Sequence, residues 1–362
     1  MNNNERLYVD LHVLQTVPPS CVNRDDTGSP KTAVYGGVTR ARVSSQAWKH
    51  AMRLRFRETL TADDVGQRTK MVVDLIAAEI RTLLPECTVE SAQKLGQKLL
   101  EAAGVKTKED KEKLKTGALF FISPAQIRAL AQIAVEHDTA KFDKAECQAA
   151  LKAHPSVDLA LFGRMVADDP TLNTDAAAQV AHAISTHAVE NEFDYFTAVD
   201  DCSPEDNAGA GHLGTVEFNS STLYRYATVN VAALRDTLGD RTPEAVRAFA
   251  EAFIRSMPTG KQNTFANRTR PDAVYVTVRR DQPVALTGAF EKPIAAGDDG
   301  YVAASVRALA DYAKETYADF VAAPVLALGT GKGLEALEVQ PCSVDALLDT
   351  LESYLSGDEE QR

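Results

Sequence analysis

The sequence predicts an α+β protein, and three observations carry the prediction. Segments with strand and helix periodicity follow one another as strand, helix, strand, strand, helix, strand. A stretch rich in Ala, Leu, Glu and Lys interrupts that order. A polar segment rich in Gly, Asp and aromatics, residues 190–218, separates the two middle strands. It is long for a connection, and loops of that length usually carry function or are disordered.

The elements follow from local pattern. Residues 6–14, RLYVDLHVL, alternate Leu7, Val9, Leu11 and Val13 with Tyr8, Asp10 and His12, the period of a half-buried strand. His12 then falls on the outer face, as a surface or second-layer residue. Pro18, Pro19 and CVNRDDTGSPKT make a long loop. Ser44 or Ser45 caps a helix whose Ala47, Trp48, Ala51 and Met52 face inward. From Thr61 to Ser156, helical spacing recurs in VVDLIAAEIRTLL, AQKLGQKLLEAAG and PAQIRALAQIAVEH. There KTKEDKEKLK, of mixed sign, reads as a solvated helix face. Strands return at residues 178–186 and 223–234, a helix at 242–257, a strand at 272–280 and a helix at 301–320. SGDEEQR ends the chain as a disordered tail. Without the insertion, this is the split βαβ order of ferredoxin-like and RNA-recognition folds, which hosts many functions and alone selects none.

Composition narrows the function. The 362 residues carry 44% hydrophobic and 25% charged side chains, ordinary for a globular protein. Five scattered cysteines, odd in number and without a CxxC pair, argue for a reducing compartment and against a disulfide framework or structural zinc. No run is long and apolar enough for a membrane helix, and MNNNERLYVD has no signal-peptide pattern, so the expected location is the cytoplasm with no membrane partner. No cofactor motif is present; AGAGHLG, Ala208 to Gly214, lacks the GxGxxG and Walker spacings.

Against a formal net charge of −12, VYGGVTRARVSSQAWKHAMRLRFR holds six Lys/Arg residues and no acid. Bulk charge sets solubility, whereas binding follows the local field, so a basic strip on an acidic body restricts where a polyanion can sit. Gln46, Lys49 and Arg53 lie on one helix face that begins at the N-terminus, where the dipole favours an anion. Arg40 and Arg42 alternate with Thr39, Ala41 and Val43 as on a strand with one charged face. Gly36-Gly37 reads as a close approach to phosphate or a hinge. With Arg24 and Lys31 nearby, a phosphate chain fits better than one phosphate.

The run PPSCVNRDDTGSPKTAVYGGVTRARVSSQAWKHAMR resembles the start of the backbone subunit of the type I-E CRISPR surveillance complex Cascade, the CasC family of the RAMP superfamily. The likeness continues through DLALFGRM, AHAISTHAVENEFDYFTAVDD, AGHLGTVEFNSSTLYRYATVN, KQNTFANRTRPDAV and GAFEKP. It is strongest over residues 8–53 and 158–230. The resemblance implies a modified RNA-recognition (ferredoxin-like) palm with a helical fingers insertion and an extended thumb loop. Here the palm would take residues 1–57, 178–192 and 223–362, the fingers 58–177 and the thumb 193–222. It also implies a non-catalytic scaffold whose copies line up along a CRISPR RNA and present bases to target DNA. Other Cascade subunits and, indirectly, a recruited helicase-nuclease complete the partners.

By the same resemblance Arg24, Lys31, Ser44, Gln46, Lys49 and Arg53 match guide-backbone positions, where Lys and Arg neutralise phosphate and Ser44 and Gln46 hydrogen-bond phosphate or 2′-hydroxyl. Tyr195 and Phe196, at the thumb base, would stack on or wedge against a displaced base. Met165 matches a position near the kinked nucleotide, beside Arg164 as a phosphate contact. Leu213 would be an apolar thumb tip with His212 beside it, and Lys261 a further RNA contact. His182 and His187, five apart, are read as structural. The competing reading is a metal-dependent endoribonuclease using Asp25 or Asp26, as in related type III backbone subunits. Against it, no histidine or third carboxylate lies nearby in sequence, and Asp25 would equally cap its loop.

Overall fold

A computed structural model describes residues 6–111, 113–137, 141–198, 202 and 212–360. In chain order, β1 (Tyr8–Ser20), β2 (Thr32–Tyr35), β3 (Val38–Val43) and α1 (Ser45–Thr59) come first. Next are β4 (Gln67–Thr69), α2 (Val72–Leu83), α3 (Val89–Ala102), β5 (Thr107–Asp110), β6 (Lys113–Thr116) and β7 (Phe120–Ile122). Then α4 (Pro124–Glu136), α5 (Lys144–Lys152), α6 (Val157–Phe162), β8 (Ala178–Val180), β9 (Ala183–Ser185), β10 (Glu192–Ala198) and β11 (His212–Asn230) follow. The chain closes with α7 (Val231–Leu238), α8 (Thr242–Arg255), α9 (Gln262–Phe265), β12 (Ala273–Arg279), α10 (Val302–Asp319), β13 (Leu326–Gly331) and α11 (Val344–Glu360). Two compact units divide the molecule: Met1–Met52, Val180–Thr228 and Phe249–Arg362 form the first, Arg53–Gln179 and Val229–Ala248 the second.

The protein is α+β around a large antiparallel sheet. Its strands lie in the order β13-β12-β1-β11-β9-β3-β2, and β8 and β10 pair with β11 off that path. Within the first unit β1 is central, so both its faces are covered rather than one. Asp10 and His12, which alternation assigns to an outer face, are buried. The Tyr224 hydroxyl lies 2.8 Å from His12 Nδ1, and the rings of Tyr224, Tyr226 and Tyr275 surround the imidazole. Asp10 accepts from the Tyr226 hydroxyl (3.0 Å) and the Val284 amide (2.8 Å). Desolvation pushes the Asp10 carboxyl up to about 6 and the His12 imidazole down to about 3. Leu14, Tyr275, Leu286, Phe290, Val306 and Leu309 continue this core.

The Gly36-Gly37 pair is neither hinge nor phosphate cradle. It is the two-residue turn between β2 and β3, with φ of +60° and +78°, a conformation only glycine adopts cheaply at both positions. A Cβ on Gly36 would lie 1.7 Å from the Glu291 carbonyl oxygen, so the turn packs flush on that backbone. In α1, Ser44 is the cap: its Oγ accepts from the Ala47 amide at 3.3 Å. Trp48 faces inward, as its spacing predicts, and meets the Arg225 guanidinium at 3.7 Å from the ring centre. That cation also reaches Gln15 Oε1 (2.6 Å) and the Phe253 ring and carbonyl; burial pushes it down to about 9.

The second unit has its own core, built from Val72, Val73, Ile76, Ile80, Leu99, Leu100, Ile127, Leu130 and Leu151. KTKEDKEKLK is not a helix there. It folds as the β5–β6 hairpin, with Lys108 opposite Lys115 and Asp110 opposite Lys113. Alternation puts these charged residues on one face, a period-two pattern that mixed sign conceals. Three more expectations are corrected. Residues 223–234 are strand only to Asn230, whose side chain caps α7. Residues 193–222 include a long two-stranded ribbon, β10 with β11, rather than an open loop. Residues 356–360 belong to α11 rather than to a disordered tail, because Leu347, Leu348, Leu351 and Leu355 bury that helix. The five cysteines form no disulfide, and no helix among the described residues is long and apolar enough to cross a membrane.

Candidate nucleic-acid interface

The loop after β1 is closed by its own backbone and by one carboxylate. The Lys31 amide donates to the Asn23 carbonyl at 2.8 Å, and Arg24 bridges to Pro30. Asp25 Oδ1 accepts from the Thr27 amide (2.9 Å), the Thr27 hydroxyl (2.7 Å) and the Ser29 amide (3.0 Å). These bonds, the hydroxyl's foremost, hold the Asp25 carboxyl below the usual carboxylate range. Asn23 Oδ1 accepts from the Ser44 amide at 2.9 Å and ties the loop to the start of α1.

Four of the sequence-predicted cations gather around this loop, all within the first unit. Arg24 is exposed at its rim and Lys31 is half-buried at its end. Arg42 donates to the Thr32 carbonyl (3.1 Å), and its Nη1 lies 3.2 Å from His182 Nδ1. Burial, then Arg42 and Lys31, lower the His182 pKa, so the neutral ring accepts from Arg42. Gly260 comes so close that a Cβ would sit 2.0 Å from the Val22 carbonyl oxygen. That approach sets Lys261 beside the loop: burial raises the Cys21 thiol's pKa, while Arg24 and Lys261 both pull it down. On α1, Gln46 is exposed and Lys49 half-buried, with its ammonium pKa lowered by desolvation. Desolvated cations of this kind gain most from an arriving phosphate.

Other sequence-predicted residues are placed differently. Arg40 is fully buried: Nε donates to the Tyr35 carbonyl, Nη1 to that of Ser185, and Nη2 to those of Phe290 and Glu291. No phosphate reaches it, and its role is to lock the β2–β3 turn. Arg164 is buried likewise. It donates to the carbonyls of Leu172, Phe121 and Leu151, lies 4.9 Å from the Phe120 ring centre, and is pushed down to about 10 by desolvation. Arg53, in the second unit, is bound to Asp158 at 2.9 Å and to the Gly66 carbonyl at 2.9 Å, over the Phe121 ring. Ser44 is buried and its oxygen is spent as the helix cap, which leaves Gln46 as the polar side chain exposed on the first turn. Met165, in the second unit, stands 85% exposed, far from a core methionine.

The ribbon separates two residues that are adjacent in sequence. Tyr195 pairs with Thr215 and Phe196 with Gly214, so the two rings lie on opposite faces. Phe196 covers Gly214, where an added Cβ would meet the ring at 2.4 Å. Tyr195 (64% exposed) instead shares its face with Leu213 (59%) and with Phe193 (66%). Phe193 is absent from the residues expected from sequence. Its place two residues before Tyr195 puts it on the same face once EFDYFTA is read as a strand. The His212 side chain and residues 208–211 lie outside the described residues.

Among the described residues, no group of three or more His, Cys, Asp or Glu side chains gathers to hold a metal. The family model for CT1975-like proteins matches residues 9–353. A chain of a solved "CRISPR RNA-guided surveillance complex, pre-nicking" is 34% identical, with a TM-score of 0.84 over 96% of this chain and all of that one. A chain of a second "CRISPR RNA-guided surveillance complex" is 29% identical, with a TM-score of 0.75 over 96% of this chain and 99% of that one. No curated protein matches the sequence.

Proposed function

The chain belongs to the CT1975-like protein family, and from that premise we propose that it is the non-catalytic backbone subunit (CasC family) of a type I-E CRISPR RNA-guided surveillance complex. In this reading it acts in the cytoplasm. Several copies line a guide RNA, each holding the guide backbone and leaving bases free to pair with target DNA. The palm is a modified RNA-recognition fold. What supports that is the neighbour order β12-β1-β11-β9, which in chain order is fourth, first, third, second.

One observation carries the functional reading: cations from separate parts of the sequence converge on one loop of an acidic chain. Arg24, Lys31 and Lys261 form no ion pair with a carboxylate among the described residues. Lys49 and Gln46 extend the strip along α1. Such side chains grip phosphate and sugar without reading bases, as a holder of many different guides requires. Tyr195, with Phe193 and Leu213, offers a base a stacking platform at the ribbon's exposed face. Met165, on the second unit, offers a separate apolar contact. Arg40, Arg164 and Ser44 play no direct part, and Arg53 serves to anchor α1. Against a nuclease at Asp25, the carboxylate's Oδ1 already accepts three hydrogen bonds within its loop.

The test is cleavage and binding in one assay. End-labelled guide RNA incubated with the chain and Mg²⁺ should be bound and remain intact. Cleavage that disappears in Asp25→Ala or Asp26→Ala would replace the scaffold with the nuclease.

A further inference from the structure

Resting on the guide-binding reading above, we infer that residues 260–270 form a second rail of phosphate contacts, on which Arg268 and Arg270 hold the RNA strand as it continues past Lys261. The segment PTGKQNTFANRTRP, residues 258–271, contains three cations and no acid. It repeats in short form the imbalance of residues 34–57.

The rail is pinned to the first unit at three points. Gly260 packs against the Val22 carbonyl, the Phe265 ring lies 5.7 Å from that of Phe218, and Thr269 is fastened to β1. The Thr269 hydroxyl donates to the Thr16 carbonyl at 2.7 Å. Its carbonyl and hydroxyl oxygens accept from Gln15 Nε2 at 3.1 and 3.2 Å. Gln15 is itself held by the buried Arg225. With Thr269 turned inward, its neighbours on either side turn out: Arg268 and Arg270 are both exposed. Neither forms an ion pair or hydrogen bond with another side chain among the described residues. A pinned backbone presenting two exposed guanidinium groups on either side of Thr269 suits a polyphosphate chain, and guanidinium suits phosphate oxygens in particular. The rail begins at Lys261, beside the Arg24–Lys31 loop, so the strand held there is the one that continues; that selects guide RNA over duplex DNA.

The experiment compares the full chain with Arg268→Ala/Arg270→Ala, Lys31→Ala/Lys49→Ala and Arg268→Lys/Arg270→Lys. Affinity for an unstructured single-stranded RNA of guide length is read by fluorescence anisotropy across a salt series. The Arg-to-Ala pair should weaken binding about tenfold at low salt and make the log–log salt slope shallower by about 1.4, roughly 0.7 for each phosphate no longer neutralised. Arg268→Lys/Arg270→Lys should recover most of that slope, and melting temperature should not move. A full slope in the Arg-to-Ala variant, with a reduced one in Lys31→Ala/Lys49→Ala, would overturn the rail and spare the guide reading. Full slopes in both would overturn the guide reading and the rail with it. Loss of duplex DNA binding with RNA binding intact would assign the rail to DNA and overturn the inference.

Discussion

Arg40, Arg164, Arg225 and Arg279 in the interior and Arg24, Lys31 and Lys261 around the loop are the same kind of residue put to opposite uses. The interior arginines donate to backbone carbonyls, Arg225 also to Gln15 and Arg279 also to the Asp281 carboxylate, and carry aromatic rings against the guanidinium face. The loop cations have no carboxylate partner among the described residues and meet solvent. Arg40 and Arg42, two positions apart on one strand, differ in burial. Arg40 points into the core, and Arg42 reaches Thr32 and His182 at the surface. A run of basic residues is therefore a mixture. What separates a cation that builds the fold from one that awaits an anion is whether it is buried among its own chain's carbonyls and rings or meets solvent without a carboxylate partner.

The largest effect should come from the interior. Arg225→Ala would strip the Trp48 and Phe253 rings of their cation and leave Gln15 Oε1 and the Phe253 carbonyl unpaired in the core. It should cost about 3 kcal/mol or more in chemical denaturation. A variant that keeps its stability and loses only RNA affinity would break the comparison.

Interior charge should also answer to pH. The Asp10 carboxyl, raised to about 6 by burial, contributes stability that is fully present below its unfolded pKa near 4 and is lost as pH rises through 6. The His12 imidazole, lowered to about 3, contributes stability that is present above 6.5 and is lost as pH falls toward 3. The two oppose each other between pH 4 and 6. Asp10→Asn should therefore expose the His12 trend, and its stability should fall more steeply on acidification than that of the parent. The change across the window should be at most about 3 kcal/mol, from about two pKa units at 1.36 kcal/mol each. Superimposable profiles in a denaturant-melt series would show that these two groups do not set the pH dependence.

On the surface, Tyr195→Ala should weaken RNA binding by about 1–3 kcal/mol if its ring stacks on a base. Phe196→Ala, which uncovers Gly214 on the opposite face, should leave affinity closer to the parent. Equal losses in filter-binding titrations would mean that the ribbon matters as a whole and not through its exposed face. The smallest effect should be at single rim positions. Arg24→Ala should flatten the salt slope by about 0.7 and leave the melt unchanged.

Much of this was legible in the sequence because the signals were periodic. The alternation of β1, the inward face of Trp48 and Met52, and the basic imbalance of residues 34–57 all depend on spacing. What escaped depends on partners distant in the chain. The carbonyls that bury Arg40 come from Ser185, Phe290 and Glu291, and those around Arg164 come from Phe121, Leu151 and Leu172. Asp10 and His12 looked solvent-facing because tyrosines from β11 and β12 cover the second face of the strand. The ribbon looked like a loop because both its faces are exposed, so burial imposes no apolar alternation on it.

Whether the cations of the loop and α1 hold a guide is tested most directly by the RNA that co-purifies with this chain. The chain is co-expressed with a CRISPR RNA and its partner subunits, treated with nuclease, and its RNA run on a denaturing gel. The parent chain should yield a discrete protected guide, which should be lost in Lys31→Glu/Lys49→Glu and retained in Asp25→Ala. Full protection in the Lys31→Glu/Lys49→Glu variant would contradict a guide-holding role and reduce the basic strip to a solvated surface.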